Sequence, residues 1–257
     1  LNCGCLLPRE YHGKRDNLTL TDLQDAAAAG GTTIEAAAWN IPRTLQVATS
    51  PAWPPTLAAV AGRPTLVWDV DGILAFTAEA VCAGLNSRFG TAYDAVSQRF
   101  FPGMLVATAL PADQAAWLTQ ELSGFSLLGT AAPDWHAIDT MTDAANAGFP
   151  SVIVTERHPA LAQETQQWLQ GWGVVWPPRV IAVGLGNKPA YLATRYGPGR
   201  PAILIDDNPV TRRTVARPGI DVWLPERPYV DDVARDHTRV YKSHDVLRYW
   251  LGLKPGP

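Results

Sequence analysis

The sequence predicts an α/β fold: a doubly wound parallel sheet, with a small helical cap inserted after the first motif and a short N-terminal helical segment. Three observations carry this reading. Short apolar runs of strand length, such as Thr65-Leu66-Val67-Trp68 and Ala202-Ile203-Leu204-Ile205, alternate with helical patterns. Polar residues gather where those runs stop: Asp69 and Asp71, Thr155, then Asp206 and Asp207. That rim, outside the carboxyl ends of the strands, is where open α/β sheets place ligands.

The elements follow in chain order. Residues 1–17 carry no periodic signal and read as a tail. Residues 18–49 are helical in pattern: Leu20, Leu23, Ala26 and Ala27 precede Gly30-Gly31, and further runs flank Asn40-Ile41-Pro42. Residues 50–63 form a stiff linker, because each proline of Ser50-Pro51-Ala52-Trp53-Pro54-Pro55 fixes φ and removes a helix donor. Residues 64–257 then form one domain. Thr65–Val70 is its first strand, and 78–89 is a helix with Val81, Leu85 and Phe89 on one face. Residues from about 90 to 131 lean towards helix; the interval exceeds a strand–helix connection and falls short of a second α/β domain, so it reads as a cap. A helix over 134–147 ends at Gly148, which suits a left-handed cap. Ser151–Thr155 is a strand, and in the helix over 159–172 Leu161, Thr165, Trp168, Leu169 and Trp172 share a face. Strands at 180–183, 202–206 and 220–224, with helices near 189–196 and 209–216, complete the parallel set.

Composition sets the function classes aside quickly. Of 257 residues, 47% are hydrophobic and 18% charged, which describes a globular chain able to bury a sizeable core. A net charge of −3 gives no global sign of a nucleic-acid or membrane-surface binder. No apolar run approaches the roughly 20 residues that span a bilayer. There is no basic-then-apolar leader, so the expected compartment is the cytoplasm. Three cysteines argue against a disulfide scaffold. Cys3 and Cys5 have no second pair and only His12 nearby, so they read as free thiols; Cys82 lies on an apolar helical face and reads as core.

The chemistry begins at Asp69-Val70-Asp71-Gly72. Strand periodicity puts both carboxylates on one side. Like charges held that close require a positive partner, and a hard divalent cation such as Mg²⁺ suits carboxylate and carbonyl oxygen. A calcium loop is set aside, because an EF-hand needs further oxygen ligands and a closing glutamate. Thr155 closes a strand. Lys188 precedes Pro189 and is expected to be extended, at the mouth of the next helix. Asp206 and Asp207 end another strand, with Asn208-Pro209 as N-cap and first helical residue.

An Asp-x-Asp-Gly, a strand-terminal Thr, a Lys and an Asp-Asp pair, in that order, resemble the four motifs of the haloacid dehalogenase-like (HAD) phosphohydrolases. The resemblance spans roughly Pro64 to Trp250. It implies that Asp69 is the nucleophile, forming an aspartyl-phosphate, and that Asp71 is the general acid and base. It implies Mg²⁺ on Asp69, Asp206 and the backbone carbonyl of Asp71, with Thr155 and Lys188 holding the phosphoryl oxygens. Asp207 is expected to orient Lys188 or a metal-bound water. Intact Asp69, Asp71, Thr155, Lys188 and Asp206 argue against the alternative of a non-catalytic HAD-like binding protein.

Within that superfamily, Asp71-Gly72-Ile73-Leu74-Ala75, Leu85-Asn86-Ser87-Arg88-Phe89-Gly90 and Glu226-Arg227-Pro228-Tyr229 look like the 5′(3′)-deoxyribonucleotidase branch. The chain departs from it at Phe76, where an acidic residue is frequent, and at Glu156, where a small one is usual; both bear on substrate choice more than on catalysis. The expected substrate is a nucleoside monophosphate, its base stacking on cap aromatics drawn from Phe100, Phe101, Trp117 and Phe125, some of which build the cap's own core. Thr33 to Ala48 resembles a helix-turn-helix, which admits the alternative of a 3′/5′ nucleic-acid-end phosphatase anchored on DNA by residues 18–49. Only Arg43 is basic in its reading helix, too little for phosphate neutralisation, so a helical hairpin that packs on the domain or mediates self-association is favoured. Nothing in the sequence assigns an oligomeric state.

Overall fold

The computed structural model describes residues 62–95, 110–174, 177–226 and 240–253, with Gln24 alone ahead of them. The expected tail, the rest of the segment 18–49, nearly all of the linker, Phe100, Phe101 and Arg227-Pro228-Tyr229 lie outside the described residues. Two compact units are distinguished: Leu1–Pro55 with Gly171–Val175, and Thr56–Gln170 with Trp176–Pro257. Nearly all described residues belong to the second.

Six strands form its sheet: β1 (Thr65–Trp68), β2 (Ser151–Thr155), β3 (Val180–Ala182), β4 (Ala202–Ile205), β5 (Ile220–Pro225) and β6 (Val240–Tyr241). They are parallel throughout, in the order β3-β2-β1-β4-β5-β6. The chain steps outwards from β1 to β3 and then crosses back to β4 on the other flank of β1. That reversal opens a crevice at the carboxyl ends of β1 and β4. The helices are α1 (Thr77–Phe89), α2 (Ala112–Ser123), α3 (Trp135–Asn146), α4 (Ala162–Gly171), α5 (Lys188–Arg195), α6 (Pro209–Val215) and α7 (His244–Trp250). None of the described helices is long and apolar enough to cross a membrane.

The apolar runs form strands because they are covered. Val67, Val154, Leu204 and Val222 from four adjacent strands are buried with Leu192 of α5 and Val215 of α6. A second cluster joins Val81, Cys82 and Leu85 of α1 to Leu118 of α2 and Leu127. The expected core position of Cys82 is met, and burial pushes its thiol up to about 11.

Between Phe76 and Ala132 the chain leaves the sheet and returns, and the two feet are joined. The Phe76 amide donates to the Ala132 carbonyl (2.8 Å), and the Asp134 amide donates to that of Leu74 (2.9 Å). Asp134 then caps α3 by accepting from the Ala137 amide (3.1 Å).

Two features differ from the sequence reading. Lys188 is the first residue of α5 rather than an extended residue ahead of it. The restriction that Pro189 puts on its predecessor is overridden by the two buried carboxylates that hold the Lys188 side chain, and the missing proline N–H is one that a helix start leaves unbonded anyway. The pair β6–α7 was not foreseen: a two-residue strand has no periodicity to detect.

Gly219 has φ +87°, and a Cβ there would sit 2.1 Å from the Gly197 carbonyl carbon, whereas one on Gly199 meets nothing within 4 Å. Gly219→Ala should lower the urea-unfolding free energy by about 2 kcal/mol or more through overpacking and left-handed strain. Gly199→Ala should stay within about 0.5 kcal/mol of the parent. Equal effects would contradict the packing described.

Candidate active site

Register brings the acidic residues together. Trp68 pairs with Ile205 across β1 and β4, so Asp69 and Asp206 are the next residues on neighbouring strands. The Asp69 amide still donates to the Ile205 carbonyl (2.9 Å) and that of Asp206 to Trp223 (3.2 Å), so both carboxylates project from an anchored backbone. The Lys188 ammonium lies between them, 2.9 Å from Asp69 Oδ1 and 2.6 Å from Asp206 Oδ2, with its side chain 2% exposed. Asp206 Oδ1 accepts from the Asn208 amide (2.7 Å), and Asn208 Oδ1 in turn accepts from that of Val210 (2.8 Å), giving the expected N-cap.

Asp71 is held by a different set. Arg157 donates through Nε to Asp71 Oδ2 (3.0 Å) and through Nη2 to Oδ1 (2.7 Å), a two-pronged grip. The Thr77 hydroxyl, at the start of α1, donates to Oδ1 as well (2.6 Å). Arg157 is buried and itself anchored: Nη1 donates to Thr165 Oγ1 on α4 (3.2 Å), and its amide donates to Thr155 Oγ1 (3.3 Å). The ring of Phe125 lies 5.8 Å from its guanidinium carbon. Glu156 turns away to accept from the Gly186 amide (3.1 Å), tying the β3–α5 loop to the end of β2.

Electrostatics separates the two aspartates. Burial raises the Asp69 carboxyl well above its ordinary value; Lys188 opposes this, while Asp206, Asp71 and Asp207 add to it. Burial works against an ionised Asp71 too, but the charge and hydrogen bonds of Arg157, helped by Thr77, hold it below the usual carboxylate range. An anionic Asp71 is poised to accept a proton; to donate one it must first take it up against the guanidinium. Lys188 stays charged, because Asp206 and Asp69 overcome the effect of its burial.

One carboxylate oxygen each from Asp69, Asp206 and Asp207, all buried, lie within 4.8 Å of one another. With Asp71 there are four carboxylates at this rim, against the cations Lys188 and Arg157, a formal charge of minus two. An all-oxygen donor set with that charge fits a hard divalent cation such as Mg²⁺. Gly72 makes the packing possible: at φ +78°, a Cβ there would sit 1.9 Å from Asp207 Oδ2.

The structure thus gathers Asp69, Asp71, Thr155, Lys188, Asp206 and Asp207 at one rim. Of the cap aromatics, Trp117 packs edge-on against Phe89 (5.7 Å, 79°) beside the cluster of α1 and α2, and Phe125 faces Arg157, the partner of Asp71. Arg157 and Thr77 had no assigned role in the sequence reading. A Thr six residues after Asp71, just ahead of the helix expected over 78–89, is the signal that could have found Thr77.

No family model matches the chain, and no curated protein does either. Solved structures do. A HAD family hydrolase from Deinococcus radiodurans R1, with bound phosphate and sodium, is 18% identical over 76% of this chain and 99% of its own, with a TM-score of 0.50. Protein Tyrosine Kinase A (PtkA) of Mycobacterium tuberculosis is 17% identical over 75% of this chain and 100% of its own, with a TM-score of 0.53. The chain shares the Rossmann-like HAD fold of such hydrolases.

A raised Asp69 value means that the metal-free folded state binds a proton more readily than the unfolded chain. That contribution to stability is present at low pH and is lost as pH rises from the ordinary carboxylate range through the raised value. Asp71 acts below that range, where its stabilisation is lost as pH falls through its lowered folded value. In chelator, the urea midpoint should therefore fall as pH rises above the ordinary carboxylate range. Millimolar Mg²⁺ should remove most of the fall. A midpoint that ignores both pH and Mg²⁺ contradicts the assigned electrostatics.

Proposed function

We propose that this protein is a Mg²⁺-dependent phosphomonoester hydrolase of HAD type, acting in the cytoplasm on a nucleoside monophosphate or close relative. The observation that carries the hydrolase reading is the buried Lys188 ammonium bridging Asp69 and Asp206 at the switch point, with Asp71 alongside. The fold shared with a HAD hydrolase that binds phosphate supports it.

Asp69 is the nucleophile: its carboxylate oxygen bonds to phosphorus as the bond to the leaving oxygen breaks, and a proton from Asp71 completes the alcohol. Water then attacks the aspartyl-phosphate, the Asp69–phosphorus bond breaks, and Asp71 takes the proton of the water. Lys188 and Thr155 hold phosphoryl oxygens as charge develops on them. Asp69, Asp206 and the Asp71 carbonyl, with Asp207 beside them, would hold Mg²⁺, which would offset the repulsion between anionic nucleophile and anionic substrate. Nucleotide preference rests on the resemblance of the motifs to the deoxyribonucleotidase branch. Base stacking is assigned to cap aromatics drawn from Phe100, Phe101, Trp117 and Phe125.

Asp69→Asn should abolish Mg²⁺-dependent phosphatase activity, and Asp206→Asn should lose activity that excess Mg²⁺ partly restores. Across nucleoside monophosphates, sugar phosphates and 3′-phosphorylated oligonucleotides, the first group should show the highest kcat/KM. Phe100→Ala and Phe101→Ala should lower kcat/KM for nucleotides about tenfold or more, from a stacking loss of about 1–3 kcal/mol, and spare p-nitrophenyl phosphate. An active Asp69→Asn protein overturns the hydrolase reading. Sugar phosphates outrunning every nucleotide overturn the substrate alone.

A further inference from the structure

We propose that Arg157 is a positioning residue that aims one oxygen of Asp71, Oδ2, at the water that hydrolyses the phosphoenzyme. The inference rests on the phosphohydrolase reading above and assigns a task to a residue that the four motifs leave without one. Asp71 Oδ1 accepts from both Arg157 Nη2 (2.7 Å) and Thr77 Oγ1 (2.6 Å), whereas Oδ2 accepts from Arg157 Nε alone (3.0 Å). A carboxylate oxygen has room for about two donors. Among the described residues, then, Oδ1 is filled and Oδ2 keeps one acceptor direction open.

The planar guanidinium fixes the plane of the carboxylate, which a point-like ammonium would leave free to turn. The fork is fixed in turn. Its third nitrogen is tied to Thr165 Oγ1 (3.2 Å), its backbone amide to Thr155 Oγ1 (3.3 Å), and its carbonyl accepts from the Gly184 amide (3.0 Å). Arg157 is 5% exposed. A long, flexible side chain immobilised at every polar group does more than balance charge: it selects one orientation of its partner. In the hydrolytic step the water oxygen bonds to phosphorus, and the electron pair of the breaking bond returns to Asp69. The water proton goes to Asp71 Oδ2. The base needs no rotation to receive it.

The test separates the two halves of the reaction with p-nitrophenyl phosphate, whose leaving oxygen needs little protonation. With Mg²⁺, Arg157→Ala should lower kcat about 100-fold, within the range general-base catalysis supplies, and lower KM in proportion. Then kcat/KM, which reports formation of the phosphoenzyme, should stay within about threefold of the parent. Acid quench should trap an accumulating phosphoenzyme. Arg157→Lys should remain as slow as Arg157→Ala, and added guanidinium should rescue the alanine variant but not the lysine one. Thr165→Val, which keeps shape and removes only the outer anchor, should show the same split at about three- to tenfold, and serves if Arg157→Ala does not fold. If kcat and kcat/KM fall together, or if lysine restores turnover, Arg157 does not position Asp71. A folded parent protein with no burst and no turnover overturns the phosphohydrolase reading, and this inference with it.

Discussion

Four carboxylates packed at the ends of two adjacent parallel strands repel one another, and the local architecture answers that repulsion. Lys188 is driven into the helix start, against the preference of a residue before proline, because its ammonium is needed between Asp69 and Asp206. Arg157 is buried for the same reason on the other side, against Asp71. Burying such pairs costs desolvation that their attraction only partly returns. A cluster of this kind is poor evidence of stability and better evidence of function, since charges perturbed this far tend to collect where chemistry is done. The remaining negative charge fits a divalent cation.

The four carboxylates also divide by task through their neighbours. Asp69 and Asp206 share one buried ammonium, that of Lys188. Asp71 meets a delocalised fork that cannot give up a proton. Two residues apart on one strand end, Asp69 and Asp71 are pushed in opposite directions, the first upward and the second downward. Separating neighbouring carboxyls in this way is how one site gains chemically distinct groups.

How much of this was legible beforehand depends on range. Strands such as Ser151–Thr155 are apolar, short and bounded by polar residues, so their sequence alone delimits them. The six motif residues were found because each sits at the end of such a strand or the start of a helix. Arg157 was not, although it lies two residues after Thr155: its partner is far away in sequence, and an arginine in a polar turn usually faces solvent. Thr165 lies on the buried helical face that its spacing predicts, and its hydroxyl is also the acceptor that anchors Arg157. Lys188 belongs to the expected helix but is helical rather than extended, since local backbone preference knows nothing of two buried acids. Strand β6 is too short to announce itself, and exists because β5 offers it an edge.

The joined feet at Phe76 and Ala132 have a bearing on how such molecules diversify. Because the chain departs and returns through one hydrogen-bonded doorway, whatever hangs beyond it is a pendant closed at its base. The entropy of closing a loop grows only with the logarithm of its length. Lengthening, shortening or replacing the pendant therefore taxes the sheet little, so long as the doorway is kept. Asp71 stands immediately inside it, so a new surface can be hung beside the carboxylate cluster without rebuilding the scaffold that holds it.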